Sequence, residues 1–357
     1  MPETPIFQER TKLSYTILKK LPPIDDIIRE FPLSDAARER ALHDRREVKN
    51  ILNGEDDRLL LIVGPCSAWP QEAVFEYAEK LAALNKKVSG RLKLVMRCYI
   101  QKPRTTKGWT GPVNQPDPCA PADIEAGIRY ARGMMVRVIE EGLPIADEAL
   151  FTHNARGFIE LLSWVAIGAR SAEDQEHRIF ASALDCAVGM KNPTHGNIGI
   201  GINGIVAAQN PHVAVFEGHE VKTDGNPYAH LVLRGGNGLP NYSVEHIEEV
   251  LRGMEKSKIN NPAVVIDVSH DNCLVDGKKD TSRQPDIAGE ILDSLQGRED
   301  LRAIVKGFMI ESFLKRGSQK VDERKPEAID RGGLSITDPC LGWEETEDLL
   351  LSLAKRV

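Results

Sequence analysis

The residues of this chain that could do chemistry fall into two sets. One is basic: Arg97, Lys102, Arg104, Arg170, Lys191 and Arg234. The other, Cys66, His270, Glu311 and Asp338, offers one sulfur, one nitrogen and two carboxylate ligands. Thiolate and imidazole suit Mn, Fe, Co or Zn better than Mg or Ca, so a divalent transition metal is the expected cofactor. The cations suggest a small ligand with phosphate and carboxylate groups, since guanidinium presents a planar fork to both, and two phosphorylated substrates would fit. Taken singly, an Arg is more often half of a surface salt bridge, Cys66 a buried thiol and His270 a core or capping histidine. Their weight comes from the positions they share.

Short apolar runs alternate with amphipathic stretches from Leu59 onward, the pattern of a parallel sheet with crossover helices. The expected strands are 59–64, 92–99, 144–149, 165–169, 187–191, 231–234 (with 213–216 as a pairing partner), 263–269 and 303–311. Helical spacing places Val74, Tyr77, Ala78, Leu81 and Leu84 on one face, and Ile128, Ala131, Met135, Val138 and Ile139 on another. Ser243 and Pro285 read as start signals of later helices, and a last helix runs from about Trp343 to Leu353. Eight strand–helix units predict an α/β fold, a (β/α)8 TIM barrel over 56–357 with a helical N-terminal extension over 1–55. In a barrel the loops leaving the C-terminal strand ends converge. The strands end in Gly64-Pro65-Cys66-Ser67, Arg97, Asp147-Glu148, Gly168-Ala169-Arg170, Lys191, Arg234-Gly235-Gly236, His270 and Glu311. Chance would scatter such residues over both ends.

Composition removes other classes. With 41% hydrophobic and 28% charged residues the 357-residue chain reads as globular. The longest aliphatic run, Leu59 to Val63, is far short of a membrane span, and Glu3, Glu9, Arg10 and Lys12 interrupt any secretory h-region, so a cytoplasmic protein without membrane attachment is expected. Net charge is −7 with no basic block, which argues against nucleic acid. The six cysteines form no CxxC pair and no disulfide framework. Gly199-x-Gly201-x-x-Gly204 spells a dinucleotide fingerprint, but the expected strand ends at Lys191 and a turn intervenes, so these glycines are assigned to helix packing.

Several stretches closely resemble the type I, metal-dependent 3-deoxy-D-arabino-heptulosonate 7-phosphate (DAHP) synthases: GPCS at 64–67, VMRCYIQKPRTTKGW at 95–109, IGAR at 167–170, LRGG at 233–236, IDVSH at 266–270 and SITDPCLGWEET at 335–346. The resemblance runs from Leu21-Pro22-Pro23 to the final helix. It implies a barrel with an N-terminal extension, and a metal bound by Cys66, His270, Glu311 and Asp338. It further implies that Arg97, Lys102, Ala169, Arg170, Lys191 and Arg234 hold phosphoenolpyruvate (PEP), that Arg104 and Thr105 hold the phosphate of erythrose 4-phosphate, and that Glu148 belongs to the pocket. Lys102, Arg97 and His270 are the expected catalytic residues. The chain departs from the family pattern at Ser67-Ala68-Trp69-Pro70 and at Asn114 to Ala122, on the pocket rim.

The expected reaction joins PEP and erythrose 4-phosphate into DAHP and phosphate, at the head of the shikimate pathway, in a homodimer or homotetramer. A paralogue acting on another phosphorylated aldose, and a non-catalytic regulatory partner, are the competing readings. Relatives sensitive to aromatic amino acids build an inhibitor pocket from the extension, the region after the third strand and the segment between the fifth and sixth. Here Phe151, Ala155 and Asp185 differ from those relatives and the 213–226 segment is shorter. Insensitivity to Phe, Tyr and Trp is the expectation.

Overall fold

The computed structural model describes residues 14–105, 107–150 and 157–357. Eight parallel strands close into a barrel: β1 (Leu59–Gly64), β2 (Leu92–Arg97), β3 (Ile145–Ala149), β4 (Leu162–Ile167), β5 (Ala187–Lys191), β6 (Ala229–Leu233), β7 (Val264–Asp267) and β8 (Val305–Glu311). Closure comes from β8 pairing with β1, where Gly64 lies opposite Glu311. Around the barrel run α3 (Gln71–Val88), α4 (Ile124–Glu140), α5 (Gln175–Ser182), α6 (Ile198–Gln209), α7 (Val244–Lys256), α8 (Arg283–Ser294), α9 (Glu299–Ile304) and α10 (Trp343–Arg356). Before the barrel stand α1 (Ile24–Glu30) and α2 (Asp35–Asn53).

Alternation along the strands creates two cores. Leu59, Leu61 and Val63 face the helical layer, whereas Leu60, Ile62, Val95, Ala146, Trp164, Val232, Val265 and Met309 fill the barrel interior. Val48, Ile51 and Leu52 at the end of α2 belong to that interior cluster. The extension therefore supplies the barrel's own floor, and each such aliphatic side chain contributes about 1.5–3 kcal/mol by leaving water. Ser34 caps the start of α2, its hydroxyl accepting from Ala37 N. Ion pairs fix its register on the barrel: Lys93 Nζ lies 2.5 Å from both Asp44 Oδ1 and Glu47 Oε2, and Arg58 also meets Glu47.

The sequence reading departs most from the fold in two strands, the other strand ends moving by up to two residues, as where Ala303 and Ile304 close a helix before the last strand. β4 begins at Leu162 and ends at Ile167, so the Val165–Ala169 expectation was three residues late at its start. No Gly, Pro, Asn or Asp separates Phe158 from Trp164, so the boundary is unmarked. The Val213–Phe216 strand does not pair with β6. It forms an antiparallel hairpin with His219–Lys222, outside the barrel. Ser243 does precede α7, but its hydroxyl lies 2.8 Å from His246 Nδ1 and caps no backbone N–H. Gly201 and Gly204 sit inside α6, where a Cβ would stand 2.5 Å from Leu231 Cδ1 and 2.8 Å from Met190 Cε, so close packing accounts for both.

Candidate active site

Strand order sorts the two chemical sets. Around the barrel β1, β8 and β7 are neighbours. Cys66 follows β1, Glu311 ends β8 and His270 follows β7, while the loop before α10 brings in Asp338. The cations come from the remaining arc: Arg97 and Lys102 at the end of β2, Arg170 after β4, Lys191 ending β5 and Arg234 after β6. Between the two arcs lies a cavity of about 140 Å3 lined by Cys66, Lys102, Arg104, Glu148, Ala169, Arg170, Lys191, Arg234, His270 and Asp338, with Pro103, Lys279 and Thr337. Arg97 and Glu311 lie beneath it, fully buried, with Arg97 Nη2 3.1 Å from Glu311 Oε1. Thr105 is exposed and lies outside the lining, where its hydroxyl accepts from Arg170 Nη2 at 3.0 Å.

Ligand atoms of Cys66, Glu311 and Asp338 lie within 4.8 Å of one another. His270 stands at the edge of this trio, its Nε2 3.8 Å from Glu311 and 4.0 Å from Asp338. The other ring nitrogen, Nδ1, is 2.9 Å from Asp267 Oδ2, and Ser269 Oγ donates to Asp267 Oδ1. Such a carboxylate fixes the imidazole orientation and leaves Nε2 for a metal. Burial works against the charge of Asp338, yet Lys279 and His270 hold it well below the usual carboxylate range. Glu311 is likewise held down, by His270 and Arg97 against its burial. Burial and the charge of Glu311 push the Cys66 thiol up, against the pull of Lys102. Glu311 Oε2 is buried without a hydrogen-bond partner among the described residues. An unpartnered carboxylate oxygen beside a thiol and an oriented imidazole fits a divalent transition metal.

The cationic arc is prepared for an anion. Arg97 Nη1 and Arg234 Nε are buried N–H donors with no partner among the described residues. A buried donor left unmade costs about 1–3 kcal/mol, which a phosphate or carboxylate oxygen would recover. The Arg97 guanidinium lies 4.0 Å from the Tyr99 ring centroid, and Lys102 Nζ 5.5 Å from it. Lys102 Nζ also donates to Cys66 O at 2.6 Å and to Sγ at 3.2 Å. Burial opposes its charge, but Cys66, Glu148 and Glu311 outweigh that and raise its pKa. Arg234 Nη2 is 3.2 Å from Asp271, and Lys191 Nζ 3.0 Å from Asp267 Oδ2. Gly168 lets Glu148 stand in the wall, since a Cβ there would be 2.0 Å from Glu148 Oε1.

With this geometry in place, comparison with known proteins is decisive. The model of the DAHP synthetase I family matches residues 31–351. The chain belongs to the DAHP synthetase I family. It is 41% identical over 347 residues, 96% of this chain and 95% of the other, to the Phe-sensitive phospho-2-dehydro-3-deoxyheptonate aldolase of Escherichia coli K12. It is 42% identical over 335 residues, covering 92% of each chain, to the Trp-sensitive enzyme of Enterobacter agglomerans. A solved phospho-2-dehydro-3-deoxyheptonate aldolase from Francisella tularensis superposes with a TM-score of 0.88 at 36% identity, covering 96% of this chain and 98% of that one. DAHP synthases are generally metal-dependent, and the Cys66, Glu311 and Asp338 group could hold an ion.

Three residues in or beside this pocket escaped the sequence reading: Asp267, Tyr99 and Lys279. Asp267 and Tyr99 fall inside the IDVSH and VMRCYIQKPRTTKGW stretches, but only the fold turns them toward His270 and Arg97. The two segments that depart from the family pattern touch each other, as Trp69 Nε1 donates to Pro116 O at 2.9 Å and Arg331 bridges the Trp69 ring and Asp117. They form a shared stretch of rim. Of the residues singled out for regulation, Phe151 and Ala155 lie outside the described ones. Asp185 neither stands alone nor caps a helix: it pairs with Lys49 at 2.8 Å and Arg45 at 3.7 Å, beside a separate cavity of about 350 Å3.

Proposed function

We propose that this chain condenses PEP with erythrose 4-phosphate to give DAHP and inorganic phosphate, the first step of the shikimate pathway. The observation that carries it is one cavity in which the buried Lys102, Lys191 and Arg234 and the exposed Arg104 and Arg170 face Cys66, His270, Glu311 and Asp338 across the barrel mouth. PEP would lie on the cationic arc, its phosphate and carboxylate answering the unpartnered donors of Arg97 and Arg234. Lys191, Arg170 and the Ala169 backbone would complete that cradle. Erythrose 4-phosphate would enter from the rim, its phosphate held by Arg104 and Thr105.

Cys66, His270, Glu311 and Asp338 would hold a divalent transition metal, one of Mn, Fe, Co or Zn, whose chemistry when bound is Lewis-acid polarisation of the aldehyde oxygen. PEP C3 bonds to the aldehyde carbon, and the displaced carbonyl electron pair becomes an alkoxide that takes a proton from Lys102. Water bonds to PEP C2, losing a proton. Cleavage of the C2–O bond then sends its electron pair out with the phosphate, the remaining hydroxyl proton on C2 passes to that phosphate to leave the ketone, and the first proton lost by water restores Lys102. Arg97 and Lys102 balance the charge on the transferred groups, and Glu148 stands near enough to Lys102 to favour its protonated form.

Residues 1–55 would serve as the oligomerisation or regulatory extension and 56–357 as the catalytic barrel. A homodimer or homotetramer in the cytoplasm is the assembly proposed, with the exposed Val213 and Val215 of the outer hairpin available for a subunit contact. No helix among the described residues is long and apolar enough to cross a membrane. The test is loss of the PEP absorbance with erythrose 4-phosphate and added Mn2+, run beside a panel of four- and five-carbon aldose phosphates. PEP consumption with another aldose alone would replace the acceptor assignment, and none with any acceptor would overturn the activity.

A further inference from the structure

Lys279 reaches the active-site cavity by a route of its own. After β7, residues His270–Cys273 make one short turn, and a hairpin follows in which Leu274 pairs with Lys279 and Val275 with Lys278. Its turn is Asp276-Gly277, with φ of 48° and 73°. Positive φ at both central residues marks the tight connection whose twist matches antiparallel strands, and Asp-Gly is among its preferred sequences. Lys279 is thus mounted on a short fixed ribbon.

The ribbon aims its ammonium at the candidate metal group. Lys279 Nζ lies 2.5 Å from Asp338 Oδ2, the same oxygen that stands 4.0 Å from His270 Nε2. Three-quarters of the side chain is buried. Burial disfavours its charge, but Asp338, Glu311 and Cys66 together keep it protonated. Those are the three residues whose ligand atoms cluster within 4.8 Å. One carboxylate is therefore offered both to a fixed ammonium and to a divalent ion.

We propose that Lys279 is an intrinsic competitor at the metal site, its ammonium holding Asp338 so that a divalent ion must displace it or share the carboxylate with it. This rests on the assignment of Cys66, His270, Glu311 and Asp338 as metal ligands. A second positive charge a few ångströms from the ion repels it, and a carboxylate engaged by ammonium donates less electron density to metal. The affinity for metal is consequently lower than the four ligands alone would set. The ion becomes exchangeable.

The test measures binding, not turnover. The metal-stripped full chain is titrated with Mn2+ and free aquo-Mn2+ is counted by electron paramagnetic resonance, for wild type, Lys279→Met, Lys279→Gln and Lys279→Arg, with circular dichroism confirming the fold. The Met and Gln variants should bind Mn2+ at least tenfold more tightly, while Arg, which keeps the charge, should stay within about threefold of wild type. Gln keeps a polar tip and serves if Met destabilises the hairpin. Unchanged or weaker binding by folded Met and Gln variants, with tight wild-type binding that Cys66→Ser abolishes, overturns the competitor role and leaves the ligand set standing. No Mn2+ binding by any form overturns both.

Discussion

Lys191 and His270 meet at one oxygen: Asp267 Oδ2 lies 3.0 Å from Lys191 Nζ and 2.9 Å from His270 Nδ1. Lys191 stands in the cationic arc and His270 in the ligand group, so a single buried carboxylate joins the two halves of the pocket. Burial opposes its charge, but His270 and Lys191 hold Asp267 well below the ordinary carboxylate range. Asp267→Asn keeps the shape and removes the charge. It should weaken metal binding by about 10–100-fold, the usual effect of losing a partner that orients a ligating His. PEP affinity should fall with it, because Lys191 loses its anchor. Isothermal titration with Mn2+ and with PEP checks both, and unchanged affinity for either would show the halves to be independent.

Lys102 and Arg104 lie two residues apart, yet Lys102 is buried against Cys66 whereas Arg104 is exposed at the rim. Arg104→Ala should raise the KM for erythrose 4-phosphate by about tenfold or more, the loss of a charge-assisted phosphate contact, with little change in kcat. Lys102→Ala should lower kcat by about a hundredfold or more with both substrates saturating, as expected for a proton donor acting in the transition state. Steady-state kinetics in both substrates decides it. Equal effects confined to PEP affinity would refute the division.

Chelator should abolish activity, and added Mn2+, Fe2+, Co2+ or Zn2+ should restore it, with bound metal followed by elemental analysis. Because burial pushes the Cys66 thiol up, metal binding must expel a proton. Metal affinity should therefore rise with pH, by up to about tenfold per unit. Cys66→Ser should fold normally, bind metal far more weakly and lose most of this slope. Full activity in chelator with no metal present would remove Cys66 from the ligand set.

How far the sequence carries can be judged at particular residues. The barrel was legible because strand and helix periods differ, and the convergence of Cys66, Lys191, Arg234, His270 and Glu311 followed from closing it. The start of β4 was not, since Leu161 to Trp164 offers no Gly, Pro, Asn or Asp to mark a boundary. Lys279 was hidden for another reason. Lys278-Lys279 reads as a solvated pair of charges, and only the preceding Asp276-Gly277 hints at a hairpin that would bury one of them. Val213–Phe216 is a short, wholly apolar run like the barrel strands. Its partner was the next four-residue run, too short and too polar to be recognised as a strand.

Asp185 carries a prediction about regulation. Its carboxylate is paired with Lys49, which lines the 350 Å3 cavity together with Lys222, and is approached by Arg45. The α-carboxylate of an amino acid binding at Lys49 would have to displace Asp185, whose own negative charge also opposes it at the cavity. Phe, Tyr and Trp at millimolar concentration should accordingly leave activity nearly unchanged in the standard assay. Clear inhibition by any of them, relieved by a substitution between Val213 and Asn226, would show that an inhibitor pocket persists.

The barrel interior holds a titratable histidine whose effect on stability has a definite sign. Trp164 Nε1 donates to His230 Nε2 at 3.1 Å, and His230 Nδ1 is 2.9 Å from Tyr228 O, a geometry that requires the neutral imidazole. Burial pushes His230 down to about 4. Between there and the unfolded value near 6.5, the unfolded chain binds a proton that the folded chain refuses, so stability falls as pH falls through this window. Two to three units correspond to about 3 kcal/mol, fully present above pH 6.5 and lost by pH 4. Asp147, raised to about 8 by burial, acts in the opposite sense. A variant comparison cancels that contribution. His230→Gln keeps an acceptor for Trp164 without titrating, so the stability difference between wild type and variant should shift toward the variant by about 3 kcal/mol from pH 7 to pH 4. Urea unfolding at each pH measures it, and parallel pH profiles for the two proteins would mean that His230 takes up its proton inside the folded barrel.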